Sequence, residues 1–262
     1  ELPDLQQVAQ TMDFPLINVL AQMEFRGIKI DASKLEKMNK SLAQEITAVQ
    51  QNIYDMVGYE FNVASPAQLA SALFDKLLLP TAGIKKGKTG YSTNQKELDK
   101  LRGQHPIIEL VERFRELSKL QNTYVAALPE QTDANGYIHT TFNQDATATG
   151  RLSSTNPNLQ NIPIRTELGR QIRDAFVPAP GNVFVNADYS QFELRLAAVM
   201  AGEKQMIEDF NADVDIHAKT AAEVYNVPIN EVTPTQRRRA KVVNFGVLYG
   251  MSQHGLAAAA NM

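Results

Sequence analysis

The sequence lacks cysteine and any long apolar run, and each absence removes a class of protein. With no cysteine among 262 residues, disulfide frameworks and cysteine-ligated zinc sites are excluded, and a reducing compartment fits the composition. No stretch approaches the roughly 18–20 apolar residues of a membrane span, and no signal peptide begins the chain. The first residue is Glu1 and not methionine, so we expect an N-terminus that was processed or cut from a longer chain.

The chain also has little net charge. A formal charge of −3 at pH 7 gives no overall signature of nucleic-acid binding, so affinity for phosphate must come from local clusters. The hydrophobic fraction of 44% and the charged fraction of 21% are typical of a soluble globular protein. The length is sufficient for one large domain or two ordinary ones.

Two segments, residues 33–57 and 107–128, carry apolar side chains at steps of three and four. This spacing is typical of α-helices, and we predict that the two helices pack as an antiparallel, coiled-coil-like pair. A shorter helical segment is predicted near 66–78. A polar tip, GIKKGKTGYSTNQ, follows it and separates the two long helices.

The tip contains the letters GKT, which also occur in phosphate-binding P-loops. The complete P-loop pattern requires glycine five residues before Gly87, where this chain has Ala82. It also requires a preceding strand, and the leucine-rich segment before the tip is interrupted by proline. We therefore reject a P-loop nucleotide hydrolase. Lys85, Lys86 and Lys88 are candidates for contacts to a nucleic-acid backbone, and a merely solvated lysine loop is the alternative.

From about residue 137 the pattern changes to that of strands. The segment YIHTTFNQ alternates apolar and polar residues, as a half-buried strand does. A long irregular stretch at 145–176 follows, rich in Thr, Ser, Asn and Gln. It also contains Arg151, Arg165, Arg170 and Arg173. These side chains suit contacts to the grooves and phosphates of a duplex, and a polar surface loop is the alternative.

Asp188 is a candidate metal ligand because of its position. An apolar strand is predicted at 183–185 and a helix from about Phe192, with Asp188 at the corner between them. Ser190 and Glu193 match a capping box for that helix. A carboxylate at the carboxyl end of a buried strand, with no basic neighbour in sequence, suits a magnesium ion. An ordinary turn residue is the alternative.

The segment TPTQRRRAKVVNFGVLYG, residues 233–250, predicts a helix with cations at its positive end. Thr233 is the predicted N-cap and Gln236 its capping-box partner. Each cation in a first helical turn costs on the order of 0.3–1 kcal/mol through the helix dipole. An anionic partner would explain why the cations are there.

Arg237, Lys241, Phe245 and Tyr249 recur at every fourth residue and therefore follow one side of that helix. Arg237 and Phe245 are about 12 Å apart along the axis at 1.5 Å per residue, comparable to an extended nucleoside triphosphate. We interpret the cations as a polyphosphate site, aided by the helix N-terminus, with a base or sugar against Phe245. A solvated basic face with both aromatic residues in the core is the alternative.

Three motifs, in matching order and spacing, resemble the bacterial DNA polymerase I family, or family A. TATGRLSSTNPNLQNIPIR resembles its primer-template-binding segment, DYSQFELR its motif A and RRRAKVVNFGVLYG its motif B. Together they cover roughly residues 145–250. The resemblance implies an α+β, helix-rich fold, a partial right-hand polymerase with a helical thumb, an antiparallel-sheet palm segment and a helical fingers segment.

On this resemblance the chain is assigned to four regions. Residues 1–30 would be the start of the polymerase domain and 31–128 the thumb. Residues 129–200 would be the palm segment with motif A, and 201–262 a partial fingers region with the motif B helix.

The resemblance also implies roles for individual residues. Asp188 would be catalytic, as one of two carboxylates that bind two Mg²⁺ ions, and the Tyr189 carbonyl would be a further ligand. Arg237 and Lys241 would hold the triphosphate, and Lys241 would also assist the leaving group. Both are therefore predicted to be catalytic as well as nucleotide-binding.

The other nucleotide contacts would come from residues around the same pocket. His217 would contact the β-phosphate side, Phe245 the sugar and base, and Gln191 the pocket wall. Glu193 would be the gate against a ribose 2′-hydroxyl, close to Tyr249. The residues implied to contact the DNA minor groove near the primer terminus are Arg151, Gln160 and Asn161.

The chain departs from the family pattern in two places. Phe192 stands where motif A usually has isoleucine, which places a larger side chain beside the nucleotide pocket. Motif C, a His-Asp-Glu sequence that supplies the second metal-binding aspartate, is absent. The four histidines precede Pro106, Thr140, Ala218 and Gly255.

We therefore expect a fragment of an enzyme for template-directed DNA synthesis by two-metal-ion nucleotidyl transfer, inactive as an isolated chain. Its partners would be primer-template DNA, deoxynucleoside triphosphates and the missing C-terminal palm segment, supplied in cis or in trans. The alternative is a non-catalytic nucleic-acid-binding fragment. The resemblance further implies a cytoplasmic, nucleoid-associated protein of a bacterium or phage, without membrane contact.

Overall fold

The computed structural model describes residues 3–88, 90–164 and 166–260. Arg165 of the arginine-containing stretch and Thr89 of the tip lie outside these ranges. The chain divides into two units, Glu1–Phe184 and Val185–Met262. Both are rich in helix, with small antiparallel sheets in the first, which confirms the α+β prediction. Within the described ranges, no helix combines the length and the apolar character needed to cross a membrane.

In its described residues, the first unit has eight α-helices. In chain order they are α1 (Pro3–Val8), α2 (Phe14–Arg26), α3 (Ala32–Val57), α4 (Pro66–Ala70), α5 (Gln95–Leu98), α6 (Ile107–Leu120), α7 (Ala127–Glu130) and α8 (Glu167–Arg173). Three of them continue into π-helical turns, at Ala9–Asp13, Ser71–Lys76 and Gln121–Val125, and α5 continues into a 3₁₀ turn at Asp99–Leu101.

The long helices α3 and α6 pack against each other, as their apolar spacing predicts. Their stripes are buried, and Leu35 and Ile53 of α3 and Leu117 of α6 are inaccessible to solvent. An ion pair between Arg113 and Glu45, with Nη2 and Oε1 2.6 Å apart, lies across the same contact. The predicted helices at 33–57, 66–78 and 107–128 are therefore confirmed.

The part of the first unit that the structure describes also contains three two-stranded antiparallel sheets. They pair β1 (Ile28–Lys29) with β4 (Tyr137–Ile138), β2 (Lys86–Gly87) with β3 (Gly90–Tyr91), and β5 (Thr141–Asn143) with β6 (Ser153–Thr155). The strand predicted over YIHTTFNQ is thus divided into β4 and β5, which belong to different sheets.

The stretch 145–176 is more ordered than its composition predicts. It contains β6, in which Ser154 is buried and pairs with Phe142, and it contains α8. The N-cap of α8 is Thr166, whose hydroxyl accepts the N–H of Gly169 at 3.1 Å. The prediction of an irregular stretch is wrong there, because two short elements gain their stability from tertiary contacts that local composition does not reveal.

The second unit is helical, with a small apolar core. Its helices are α9 (Phe192–Ala201), α10 (Lys204–Asn211), α11 (Ile216–Tyr225), α12 (Pro234–Leu248) and α13 (Gln253–Ala260), with a 3₁₀ turn at Ile229–Glu231. Leu194, Ala198, Phe210 and Ile216 form the core. Helix α11 packs along α12, which brings the residues of motif B next to those of DIHAKTAAEV.

Two local predictions beside Asp188 are wrong. Residues 183–185 have no regular secondary structure, and Val183 and Val185 are 79% and 84% exposed. A strand needs a hydrogen-bonded neighbour, and the described residues pair none with this segment. The capping box of Ser190 and Glu193 is absent as well. The N-cap of α9 is Gln191, in a left-handed conformation with φ of 56° and no capping side chain.

Candidate functional site

Helix α12 begins with the capping box that its sequence predicts. Thr233 Oγ1 accepts the N–H of Gln236 at 3.3 Å, and Gln236 Oε1 accepts the N–H of Thr233 at 2.8 Å. Pro234 occupies the first helical turn. These contacts satisfy two backbone donors and fix the position at which the basic run starts.

The three arginines of the first turns have separate partners. Arg237 Nε donates to Asp215 Oδ2 at 2.5 Å, and Arg238 and Arg239 donate to the hydroxyls of Thr235 and Tyr225 at 3.2 and 3.5 Å. The Arg237 pair is nearly half exposed, so its contribution to stability is at most about 1 kcal/mol. Stability alone therefore does not explain four cations at this end of the helix.

Asp215 connects the beginnings of α11 and α12. It is the N-cap of α11, where its Oδ1 accepts the N–H groups of His217 and Ala218, each at 3.0 Å. Burial works to raise the pKa of this carboxyl, but the hydrogen bonds from Arg237 and from the two backbone groups outweigh burial and hold it below its usual value. Asp215 thus stays charged and keeps the Arg237 guanidinium at the N-terminal end of both helices.

The predicted row on one side of α12 is present as a chain of contacts. Lys241 Nζ lies 5.9 Å from the centre of the Phe245 ring. The Phe245 and Tyr249 rings are stacked, with centroids 6.4 Å apart and an interplanar angle of 17°. Along this side of α12, a cation is therefore followed by two stacked rings.

His217, on α11, lies next to the Phe245 ring of this row. Its side chain is fully buried, and its ring is 5.8 Å from that of Phe245. Asn244 Nδ2 is 3.1 Å from His217 Nδ1. Burial lowers the pKa of the imidazole, and the charges of Arg237 and Lys241 lower it further, against an opposing effect of Asp215. The ring is therefore neutral at physiological pH.

Glu193 and Tyr249 lie beside each other, as the motif resemblance implies. The Tyr249 hydroxyl donates to Glu193 Oε1 at 3.3 Å, which joins the first turn of α9 to the end of α12. Gln191, the N-cap of α9, directly precedes this turn.

Asp188 and Tyr189 are both exposed, Tyr189 by 85%. The Tyr189 carbonyl accepts the N–H of Phe192 at 3.3 Å, and the two rings are 5.8 Å apart. Across the described ranges, no three His, Asp or Glu side chains converge to hold a metal ion. One carboxylate and one carbonyl fit part of a magnesium site but do not complete a site for two ions.

The candidate DNA contacts lie in the first unit. Lys86 Nζ is 5.1 Å from the centre of the Tyr91 ring, across the β2–β3 hairpin. The Lys85 backbone N–H donates to Glu97 Oε2 at 3.1 Å, which anchors the base of this hairpin. Lys88 is exposed at its turn. Lys86 thus lies in β2, with Lys85 directly before this strand and Lys88 directly after it.

Arg151, Gln160 and Asn161 are exposed residues of one folded segment. Gln160 Nε2 donates to the carbonyl of Leu152 at 3.2 Å, which ties it to the residue after Arg151. The structure therefore brings Arg151 and Gln160 into the same part of the surface, as a shared groove contact requires.

Sequence reasoning missed two polar residues of the site, Asp215 and Asn244. Asp215 could have been found, because an Asp directly before IHAKTAAEV is an N-cap signal. Asn244 could not, because its role depends on which face of α12 meets α11.

Phe192, the departure in motif A, contacts Tyr189 and is 53% exposed.

The sequence model of DNA polymerase family A matches residues 32–262. The chain therefore belongs to DNA polymerase family A.

Bacterial relatives align along nearly the whole chain. DNA polymerase I of Bacillus caldotenax is 49% identical over 254 residues, which is 96% of this chain and 29% of that protein. The thermostable DNA polymerase I of Thermus thermophilus is 49% identical over 93% of the chain and 29% of its own length. DNA polymerase I of Treponema pallidum is 44% identical over 98% and 26%. The chain thus spans less than a third of these relatives.

A solved structure supports the same assignment. The POL domain of Pol1 from M. smegmatis, in complex with DNA primer-template and dNTP, superposes with a TM-score of 0.86 and 41% sequence identity. The match covers 98% of this chain and 47% of that domain.

Proposed function

We propose that this chain is the part of a DNA polymerase that binds the incoming deoxynucleoside triphosphate and contacts the primer-template. The observation that carries the proposal is the ordered row on α12, a cation followed by two stacked rings, with the Glu193–Tyr249 hydrogen bond at its end. The relative of known structure that was solved with primer-template and dNTP supports the same substrates.

In this proposal, Arg237 and Lys241 bind the phosphates, and the N-terminus of α12 adds its attraction for anions. Lys241 stabilises charge that grows on the leaving group, so its contribution is largest in the transition state. The Phe245 ring packs on the sugar and base. Glu193 and Tyr249 close the side at which a ribose 2′-hydroxyl would enter, and Gln191 lines the same pocket.

In this proposal, two parts of the polymerase together form the metal site. Asp188 and the Tyr189 carbonyl supply one part, and an aspartate from a C-terminal palm segment, in cis or in trans, supplies the rest. Two bound Mg²⁺ ions would activate the primer 3′-hydroxyl and stabilise the leaving pyrophosphate. The chain's own share is to hold the nucleotide and position its α-phosphate.

The remaining assignments follow the same proposal. Residues 31–128 act as the thumb, 129–200 as a palm segment and 201–262 as part of the fingers. Lys85, Lys86 and Lys88 contact the DNA backbone, and Arg151, Gln160 and Asn161 the minor groove. The protein acts in the cytoplasm at the nucleoid.

Lys241→Ala tests the triphosphate site, and Arg239→Ala is the matched control on the same helix. We expect Lys241→Ala to weaken binding of a deoxynucleoside triphosphate roughly tenfold or more, since hydrogen bonds between charged groups are worth about 1.5–3 kcal/mol. Titration calorimetry with the nucleotide measures this. Primer-template affinity, followed by fluorescence anisotropy, should change little.

Arg239 bonds Tyr225, so its removal should leave nucleotide binding within about twofold of the wild type. Equal losses for the two variants, or a loss of DNA and nucleotide affinity together, would instead support a general basic face.

A further inference from the structure

His217 and Asn244 form a polar pair inside the contact between α11 and α12. Asn244 Nδ2 lies 3.1 Å from His217 Nδ1. In this orientation of the Asn244 amide its nitrogen donates the hydrogen bond, so His217 Nδ1 is the acceptor and carries no proton. A neutral imidazole held in this way has its single proton on Nε2.

The surroundings of His217 keep the ring neutral. The side chain is fully buried, and a buried ring is protonated less readily than one in water. Arg237 and Lys241 oppose a second proton, while Asp215 favours it, and the combined effect lowers the pKa of the ring. The Nε2–H group is therefore a neutral donor.

This donor has no acceptor within the part of the chain that the structure describes, because His217 Nε2 is buried without a hydrogen-bond partner. Buried polar groups nearly always have partners. An unpaired N–H beside two cations is suited to an anionic oxygen. Because Nε2 is buried, a phosphate oxygen can bond to it only after a neighbouring side chain shifts. The ring of Phe245 is centred 5.8 Å from that of His217.

We propose that Asn244 is a positioning residue, which holds His217 in the tautomer that offers Nε2–H to a phosphate oxygen of the bound nucleotide. The proposal rests on the triphosphate site described above. Asn244 itself touches neither the substrate nor the reacting atoms, and it acts by deciding which ring nitrogen carries the proton.

The first experiment measures the tautomer by ¹⁵N NMR of the 262-residue chain with ¹⁵N-labelled histidine. The signals of His217 are identified as those that disappear in His217→Gln. Wild-type protein should show a protonated Nε2 and an unprotonated Nδ1 between pH 6.5 and 8. Asn244→Asp replaces the donor by an acceptor, so a proton should appear on Nδ1. Asn211→Asp, which adds the same charge at the exposed end of α10, should leave the ring unchanged.

A packing role would not move this proton. Protonated Nδ1 in the wild type, or an unchanged tautomer in Asn244→Asp, would overturn the proposal. Asn244→Leu keeps the approximate volume without polar atoms, and it should abolish the preference for either nitrogen while circular dichroism shows that the helices remain.

The second experiment measures binding of inorganic pyrophosphate to the same chain. Asn244→Asp should weaken binding roughly tenfold, and the same substitution in a His217→Gln background should add little, because the ring is gone. An equal effect in both backgrounds would contradict the proposal. If wild-type protein binds pyrophosphate no more tightly than Lys241→Ala does, the triphosphate site itself is refuted. The NMR experiment does not depend on this result, because it tests the effect of Asn244 on the tautomer directly.

Discussion

At the scale of single residues, the hydrogen bond between Glu193 and Tyr249 is the contact through which the proposed site would select its sugar. It places a carboxylate and a phenol at the end of the α12 row, where a 2′-hydroxyl would need space. Motif A and motif B were sufficient to predict that these residues meet. The spacing of Ser190 and Glu193 matches a capping box, but it did not predict that Gln191 would be the N-cap of α9.

Glu193→Ala should therefore relax sugar discrimination in a polymerase completed with its C-terminal palm segment. We expect the preference for deoxynucleotides over ribonucleotides to fall roughly ten- to a hundredfold, because a closed pocket loses its steric and polar barrier. Single-nucleotide primer extension with each triphosphate gives the ratio. Glu203→Ala, in the same unit, is the control. If Glu193→Ala left the selectivity unchanged, the proposed role of Glu193 as the gate against a ribose 2′-hydroxyl would be refuted.

His217 should make the stability of the second unit depend on pH. The folded ring has a lowered pKa, so below about 6.5 the unfolded chain binds a proton that the folded chain does not. Stability is then fully present above this pH and is lost as the pH falls, by at most about 1.4 kcal/mol per unit. Thermal unfolding of wild type and His217→Gln between pH 7.5 and 5.5 measures the effect. An identical slope in both proteins would contradict it.

At the scale of elements, the long periodic helices were predictable and the short elements were not. Helices α3 and α6 carry enough apolar positions to define a face, so their packing follows from sequence. Helix α8 and strand β6 are short, and their stability comes from contacts distant in sequence. Residues 183–185 are the opposite case: their composition is typical of a strand, but they form none because no neighbouring segment among the described residues pairs with them.

Gly169 in α8 supports the segment that carries Gln160 and Asn161. A Cβ at this buried position would lie 2.4 Å from the carbonyl oxygen of Pro163, so the backbone itself would have to move. Gly169→Ala should destabilise the first unit by about 1–3 kcal/mol.

Gly87→Ala is the matched control for this change, because its Cβ would meet only an ordinary contact at 3.7 Å, and its cost should stay within about 0.5 kcal/mol. Urea unfolding compares the two variants. Equal midpoints would show that the close approach at Pro163 does not constrain the fold.

At the scale of the whole molecule, the two units hold different parts of the proposed function. The first unit carries the lysine hairpin and the Arg151–Gln160 surface, and the second carries the nucleotide row and Asp188. Their sequence order and chemistry could be predicted from the three motifs. The polar pair of His217 and Asn244 could not, because it exists only once α11 and α12 pack.

The most direct test of the account is primer extension by the 262-residue chain. In the proposed mechanism, Asp188 and a second aspartate together hold two metal ions about 3.5–4 Å apart. The chain contains no His-Asp-Glu sequence to supply that second aspartate. We predict weak, salt-sensitive binding of primer-template and no extension. Joining a family A C-terminal palm segment, fused or as a second chain, should give Mg²⁺-dependent extension that Asp188→Ala abolishes. Robust template-directed extension by the chain alone, or by the completed enzyme with Asp188→Ala, would contradict the account.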